Sequence, residues 1–463
     1  MLSKKNALVN MLLIIAVFIY ILYIFNSVPW SYKKIGNVIG FLFIGGISIF
    51  NIIADSRIIS CNKFRWYFEF VFMCVAPLCQ YMSEYYPWRV YLDESDIQVS
   101  IFIVILFDLT YTLFYNKKII NLKEGIVTNS IKSYLTRDKV YYTNDLVLLF
   151  IISIICFTVL VYMIGFYNLF FRSENSLSIE NSTINFIIRK FLTAMPAMVI
   201  VIFISSNKKN KTFVKSAAIA ILFVFTVCSN FPTSTTRYWM ATILGGIFLN
   251  VFGKRTHTRI VDCAVIIGLS VIFPFFCIFK TMTITDLLAG NIKFSGIIDS
   301  YNTVDFDAFS MLVRTIRYVR ENELEMGTQL INVLFFWVPR SIWITKPYPS
   351  GQVVAADQGQ IYTNVSCPIH AEGYINFGVI GVLLYAFTFA KILRFFDNMY
   401  WQESSDDNIN TINFIYAFLC IIIIYISRGA LQPTVVQTFA LVLPMIVINL
   451  FTAIQIKRKY NEK

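Results

Sequence analysis

The sequence is dominated by apolar runs of about 20 residues, which is the length of an α-helix that crosses the hydrocarbon core of a bilayer. Charged residues collect between these runs rather than alternating with apolar ones. The run at 238–252 is shorter than a usual span, so the number of spans is about twelve. We expect an all-α, polytopic integral membrane protein with about twelve transmembrane helices, at residues 7–25, 36–54, 66–82, 98–115, 146–170, 186–206, 214–230, 238–252, 260–279, 373–392, 411–428 and 434–454.

Composition and charge support a membrane protein and exclude several soluble classes. Only 14% of the residues are charged, whereas soluble domains carry roughly 25%. The net charge of +12 would suggest a nucleic-acid partner in a soluble protein, but in a membrane protein it reflects the Lys and Arg of cytoplasmic loops. Because most of these cations lie on the side of the N-terminus, we expect both termini to be cytoplasmic. The first run is expected to be a transmembrane helix rather than a signal peptide.

This topology divides the chain into three regions. Residues 1–280 carry helices one to nine, residues 281–372 form one large external segment, and residues 373–463 carry helices ten to twelve and a cytoplasmic C-terminus. Any chemistry is then external, where nucleotide-activated substrates are absent. The sequence has no P-loop, no glycine-rich nucleotide fingerprint and no HExxH motif. An external enzyme must therefore use a substrate that is already activated and carried on a lipid.

Cysteine positions indicate neither a disulfide framework nor a metal site. Seven of the nine cysteines lie in apolar runs, where cysteine behaves as a small buried hydrophobe. Cys61 falls in a basic loop and Cys367 in the long polar segment, on opposite sides of the membrane, so no disulfide is expected. CxxC spacing is also absent.

The external segment contains an amphipathic stretch, DFDAFSMLVRTIRYVR, that begins at Asp305. Its apolar residues recur at helical spacing, and Asp305 is a suitable N-cap. The opposite face carries Asp307, Ser310, Arg314 and Arg317. One interpretation is a helix lying on the bilayer surface with solvated arginines. The alternative is that Arg314 and Arg317 bind phosphate.

The next stretch, LINVLFFWVP at 330–339, is too short to cross a bilayer and suits a re-entrant or interfacial element. It leads into VPRSIWITKP, where the prolines prevent regular helix. Arg340 and Lys346 then lie at the depth of lipid headgroups. Arginine suits bidentate phosphate binding and lysine supplies a compact charge. The alternative for Arg340 is simple anchoring at the interface.

The segment ends with NVSCPIHAEGYINFGVIG, which places His370 and Glu372 directly before a transmembrane run. Residues i and i+2 do not share a helix face, but in an extended or turn segment both could line one cleft. Either side chain could accept a proton from a sugar hydroxyl, and the alternative is that both are solvated at the membrane edge. The glycines at 373, 378 and 381 indicate close helix packing.

Further charged residues lie at or inside the predicted spans. Arg237, in TSTTRYW, and Arg428, in ISRGAL, stand at external span ends. Charges at membrane depth are costly unless they face a cavity or a partner, so both are candidate functional residues. Glu69 and Asp108 lie within spans, where a proton or ion pathway is an alternative interpretation.

These motifs together resemble the Wzy-type O-antigen polymerases, or oligosaccharide repeat-unit polymerases. The resemblance is strongest over residues 305–381, with TSTTRYW and ISRGAL as further similar positions. It implies a bacterial plasma-membrane glycosyltransferase that joins repeat units carried on undecaprenyl pyrophosphate, without metal, cofactor or nucleic acid. A chain-length regulator and a flippase are the implied protein partners. The cations implied for the leaving pyrophosphate are Arg237, Arg340 and Arg428, with Arg314, Arg317 and Lys346 in second rank.

Two other functions remain open from the sequence. An O-antigen ligase would catalyse the same transfer to a different acceptor. A transporter, either a lipid-linked oligosaccharide flippase or an ion-coupled carrier, would also use about twelve spans and intramembrane charges. The long external segment favours the enzyme, because its polar residues are concentrated outside the helix bundle. Within the enzyme interpretation, His370 or Glu372 is the expected general base.

Overall fold

The computed structural model describes residues 4–27, 35–116, 126–170, 183–209, 211–232, 234–252, 256–274, 297–402 and 410–461. Within these ranges the chain forms helices joined by turns and short loops, and no strand is present. The helices are α1 Lys4–Ser27, α2 Ile35–Ala54, α3 61–83, α4 Glu94–Asn116, α5 Ile126–Thr136, α6 Thr143–Ile164, α7 Thr183–Lys209, α8 Phe213–Ser229, α9 Arg237–Phe252, α10 258–272, α11 Ile297–Tyr301, α12 Ala308–Glu321, α13 Thr328–Leu334, α14 Ser350–Asp357, α15 Ile369–Gln402, α16 Thr411–Arg428 and α17 Leu431–Asn461.

The membrane character predicted from the apolar runs is confirmed. Within the described residues, seven helices are long and apolar enough to cross a bilayer: α2, α4, α6, α7, α15, α16 and α17. The other five predicted runs also lie on helices, which are shorter, interrupted by π-helical turns or described in part. The protein is therefore a polytopic helical membrane protein, and the total of twelve spans stays a prediction.

Helix α3 is the buried centre of the bundle. Its first turn is capped by Ser60, whose hydroxyl accepts a hydrogen bond from the backbone N–H of Lys63 at 3.0 Å. The middle of α3, Glu69–Val75, is π-helical, a geometry that often occurs at functional sites. All its side chains from 61 to 82 are buried, so its polar residues have to find partners inside the protein.

The assignment of Cys61 to a basic loop was wrong, because Cys61 begins α3 and is buried there with the neighbouring cations. Lys63 and Arg65 lie within α3 and are fully buried. The Lys63 ammonium lies 2.9 Å from Asp262 of α10, and Arg65 contacts Asp108 of α4. These acids are distant in sequence, which explains why local pattern alone suggested a solvated loop.

Helix α15 is a hairpin rather than a straight rod. Its backbone is non-helical at Phe377 and at Gly378, where φ is +61°. A Cβ added to Gly381 would lie 1.9 Å from the carbonyl oxygen of Gly373, although eight residues of continuous helix would separate them by about 12 Å. The short arm 369–376 therefore folds back against the long arm 379–402. The close helix packing predicted for the glycines is confirmed at Gly373 and Gly381, whereas Gly378 provides the turn between the arms.

The amphipathic helix α12 lies inside the protein rather than on its surface. It begins at Ala308, after a 3-10 turn at Val304–Phe306, and not at the predicted cap Asp305. Both faces are buried as far as Ile316, including the Arg314 side chain. The helix packs against α4, α14 and α15. A bilayer-surface position with a solvated Arg314 was therefore wrong, because the polar face meets protein instead of water.

Aromatic packing holds the chain before α12 within the bundle. The Phe306 ring stacks on Phe72 of α3, with 5.1 Å between ring centroids, and meets Tyr301 edge-on at 4.9 Å. The amide nitrogen of Gln80 donates to the backbone carbonyls of Tyr301 and Phe306, at 2.8 and 2.9 Å. These contacts fix the position of the turn that carries Asp305 and Asp307, the two acidic residues on either side of Phe306.

Candidate functional site

Arg237 and Arg428 meet at the turn that precedes α12. Arg237 starts α9 and its Nη1 lies 2.8 Å from an Asp305 carboxylate oxygen. Arg428 ends α16 and its Nη2 lies 2.8 Å from an Asp307 carboxylate oxygen. The Arg428 guanidinium also donates to the backbone carbonyls of Asp305 and Val304, each at 3.0 Å. Two cations that are remote in sequence are therefore brought to one turn.

The Asp307 carboxylate accepts three hydrogen bonds at this turn. Besides Arg428, it accepts a hydrogen bond from the indole N–H of Trp88 at 3.0 Å and from the backbone N–H of Ser366 at 3.4 Å. It is fully buried. The Tyr238 ring lies beneath Arg428, 5.1 Å from Cζ to the ring centroid, and the Tyr238 hydroxyl donates to the Asp305 carbonyl at 3.2 Å. We call Arg237, Tyr238, Asp305, Asp307 and Arg428 the arginine centre.

An apolar groove leads away from the arginine centre. It has a volume of about 400 Å³, and Arg237 and Tyr238 line one end of it. The rest of the lining is almost wholly apolar and comes mainly from α9, α10 and α16, including Ala241, Phe248 and Ile421. A groove of this kind accepts a hydrocarbon chain. The combination of a cationic end and an apolar body suits an amphiphile with an anionic head.

The other predicted arginines of α12 are not part of this centre. Arg314 donates from Nε to the side-chain oxygen of Gln358, and its Nη2 has no hydrogen-bond partner among the described residues. Burial lowers the pKa of the Arg314 guanidinium to about 10. Arg317 is exposed and pairs with Glu321 at 2.8 Å, one helical turn away. Arg314 therefore has a structural role in holding α14, whereas Arg317 sits on a solvated face.

Arg340 and Lys346 form a separate group in the loop between α13 and α14. The Arg340 guanidinium donates to the backbone carbonyls of Lys346 and Pro347, and it stacks over the Tyr348 ring at 4.1 Å. The buried Lys346 ammonium donates to the carbonyls of Phe336 and Val338, both at 2.9 Å. Lys346 thus stabilises the loop through buried hydrogen bonds, while Arg340 is exposed on the outer side of the loop.

His370 and Glu372 lie on the short arm of α15, so the extended or turn segment considered from sequence is not what forms. Both side chains are buried, which excludes the solvated alternative. As helix geometry requires, they face different neighbours. The Glu372 carboxylate accepts from the Ser350 hydroxyl at 2.8 Å and from the backbone N–H of Leu431 at 2.7 Å. The His370 ring faces Glu69 of α3, with 3.2 Å between Nε2 and Oε1.

Glu372 is linked to the arginine centre through its partner Leu431, which follows Arg428 by three residues. Sequence reasoning missed the roles of Asp305, Asp307 and Tyr238. It assigned Asp305 to a helix cap and Asp307 to a solvated face. The available signal was the DFD triplet, in which two carboxylates flank a large apolar side chain in a protein with several unexplained arginines.

Comparisons with protein-family models, with curated proteins and with solved structures found no match to this chain.

Proposed function

We propose that this protein polymerises oligosaccharide repeat units carried on undecaprenyl pyrophosphate, as the Wzy-type polymerases that it resembles do. The single observation that carries the proposal is the arginine centre at one end of the apolar groove. A polyprenyl pyrophosphate is complementary to this site, because it carries an anionic head on a long hydrocarbon chain. The product would be O-antigen or a capsular or extracellular polysaccharide.

The contacts of the two arginines suggest how a pyrophosphate would bind. Asp305 and Asp307 now hold the guanidinium groups in place with carboxylate oxygens. Phosphate oxygens have similar geometry and more charge, and arginine binds both groups through paired N–H donors. In the proposed complex the pyrophosphate replaces one or both carboxylates, and the polyprenyl chain enters the groove beside α9 and α10.

The proposed reaction is a displacement at the anomeric carbon of the donor glycan. A hydroxyl of the acceptor repeat unit forms the new C–O bond, while the bond between that carbon and the pyrophosphate oxygen breaks. The lipid pyrophosphate leaves with the electron pair, and fixed guanidinium groups stabilise its growing negative charge. The hydroxyl proton passes to a base, for which the candidate is Glu372, since its partner Leu431 follows Arg428 by three residues.

The proposal places the Arg428 end of the bundle at the outer face of a bacterial plasma membrane, with both termini in the cytoplasm. The positive residues of the short loops support this orientation. A flippase would then supply the lipid-linked units, and a chain-length regulator would set the length of the product.

A second candidate function is ion-coupled transport of a lipid-linked glycan. It is favoured by one observation, the buried contact of His370 with Glu69 in the middle of the bundle. Intramembrane ionisable residues are typical of transporters as well as of enzymes. A ligase remains the closest enzymatic alternative, since it differs only in the acceptor.

The test is a reconstituted reaction with purified protein in lipid nanodiscs and a synthetic undecaprenyl-pyrophosphate-linked repeat unit, without added metal. We expect a ladder of products that differ by one repeat unit, together with released lipid pyrophosphate. Transfer of a single unit to a lipid A acceptor without a ladder would identify a ligase. Movement of intact substrate across a liposome membrane, without any new glycosidic bond, would contradict the enzyme proposal.

A further inference from the structure

Four ionisable side chains meet inside the bundle, apart from the arginine centre. Arg65 and Glu69 come from α3, Asp108 from α4 and His370 from the short arm of α15, and all four are fully buried. The Glu69 Oε1 lies 3.1 Å from the Arg65 Nη2 and 3.2 Å from the His370 Nε2. Arg65 also contacts the Asp108 carboxylate. We call these four residues the buried quartet.

The buried quartet has unused hydrogen-bonding atoms. Both Glu69 oxygens, the Asp108 Oδ2 and both His370 ring nitrogens lack an aligned hydrogen bond to any described residue, and so do the Nε and Nη1 donors of Arg65. Aromatic rings form the walls, with Phe107 at 4.3 Å from the His370 ring. Unpaired acceptors that converge in an apolar enclosure are costly and call for a cation.

The charge of the quartet decides which cation fits. With both carboxylates ionised and the imidazole neutral, the two negative charges exceed the single positive charge of Arg65 by one. An unbalanced charge without access to water strongly destabilises the folded protein. One added proton makes the quartet neutral, whereas a divalent metal ion would leave it with an excess positive charge beside the guanidinium.

We propose that the buried quartet binds one proton, shared between His370 and Glu69. The buried charged groups on the helices that carry the quartet are engaged elsewhere, Lys63 of α3 with Asp262, Asp96 of α4 with Arg320 and Asp397 of α15 with Tyr115. On the same arm, Glu372 is bonded to Ser350 and the backbone of Leu431. On the elements packed against that arm, Arg314 is bonded to Gln358 and Asp307 to Arg428. The quartet therefore reaches charge balance within itself.

The bound proton makes His370 a positioning residue. His370 ties the short arm of α15 to α3 at the start of the π-helical turn, and the same arm carries Glu372. Loss of the proton would leave adjacent unpaired acceptors and loosen the arm. This inference concerns the fold of the bundle and does not depend on the proposed reaction.

The proton can be observed directly because the chain has only two histidines. In His257→Gln protein labelled with ¹⁵N-histidine, the one remaining ring is His370. We expect both of its nitrogens to give the closely spaced resonances of an imidazolium at neutral pH. Glu69→Gln should convert them to the widely split pair of a neutral imidazole, since Arg65 and Asp108 then balance each other.

A matched control is Asp262→Asn, which removes a buried carboxylate that pairs with Lys63 instead; the His370 resonances should not change. A neutral imidazole in the parent protein would overturn the proposal. His370 resonances that do not change in the Glu69→Gln variant would overturn it too. A resonance shift on adding Zn²⁺ alone would identify a metal site and overturn the proton assignment.

A stability measurement tests the same charge balance independently. His370→Gln leaves the quartet with an uncompensated negative charge, so the melting temperature should fall. The double variant Glu69→Gln, His370→Gln restores neutrality and should recover part of that loss. If the loss in the double variant equals the sum of the losses in Glu69→Gln and His370→Gln, the two sites are not coupled by charge. That result would contradict the proposal.

Discussion

At the scale of single residues, the arginine centre is held together by groups that a phosphate could replace. Arg428 makes three hydrogen bonds to the turn at 304–307, through Nε and Nη2. This directional pattern belongs to a guanidinium and cannot be reproduced by an ammonium group. The cation over the Tyr238 ring adds a further orienting contact.

Arg428→Lys should therefore lower polymer formation by about 10- to 100-fold, because charged hydrogen bonds contribute roughly 1.5–3 kcal/mol each. The measurement is the rate of ladder formation in the reconstituted reaction. The control is Arg317→Lys, which changes an exposed arginine that pairs with the exposed Glu321 and should leave the rate unchanged. Equal activity of Arg428→Lys and the parent protein would contradict the phosphate-binding role.

At the same scale, the two candidate bases are no longer equivalent. His370 faces Glu69 and the interior of the bundle, whereas Glu372 faces Ser350 and the first turn of α17. Glu372→Gln should abolish ladder formation while leaving substrate binding intact, because an amide cannot accept the hydroxyl proton. Activity retained in Glu372→Gln would remove this residue from the mechanism.

At the scale of secondary-structure elements, the α15 hairpin depends on two glycines. Gly381→Ala would place a methyl group 1.9 Å from the Gly373 carbonyl oxygen, so the arms must separate. We expect a loss of about 3 kcal/mol in stability, seen as a lower melting temperature in detergent. The control is Gly46→Ala in α2, where no atom lies within 4 Å of the added Cβ; it should be neutral or slightly stabilising. Equal melting temperatures for the two variants would contradict the hairpin packing.

The apolar groove makes a prediction at the same scale. Ala241→Phe adds a ring to its lining, one helical turn from Arg237. If the groove holds the polyprenyl chain, KM should rise for substrates with a full-length tail and change little for short-tailed analogues. Ala220→Phe, on an exposed face of α8, should leave both values unchanged. An equal effect on long and short tails would place the hydrocarbon chain elsewhere.

At the scale of the whole molecule, the proposal requires the loop between α13 and α14 to face the outside of the cell. Ile344 in this loop is 84% exposed, so an Ile344→Cys variant should react with a membrane-impermeant maleimide in intact cells. Lys211→Cys, in the exposed turn between α7 and α8, should react only after the membrane is opened. The reverse pattern would invert the topology and contradict the site of reaction.

The amino-acid sequence alone was enough to identify a polytopic helical membrane protein, because burial in a bilayer imposes long apolar runs that are visible locally. It also singled out Arg237 and Arg428, which the structure brings to one turn, and indicated close packing at Gly373 and Gly381. Each of these properties depends on neighbours in the chain or on composition.

Only the tertiary structure decided which charged groups meet. Arg237 pairs with Asp305 and Arg428 with Asp307 across long sequence separations, and no local pattern records such pairings. The same holds for Arg65, buried in α3 beside Asp108 rather than solvated in a loop. The physical reason is that apolar burial is set residue by residue, whereas a buried charge is tolerated only where the fold brings it a partner.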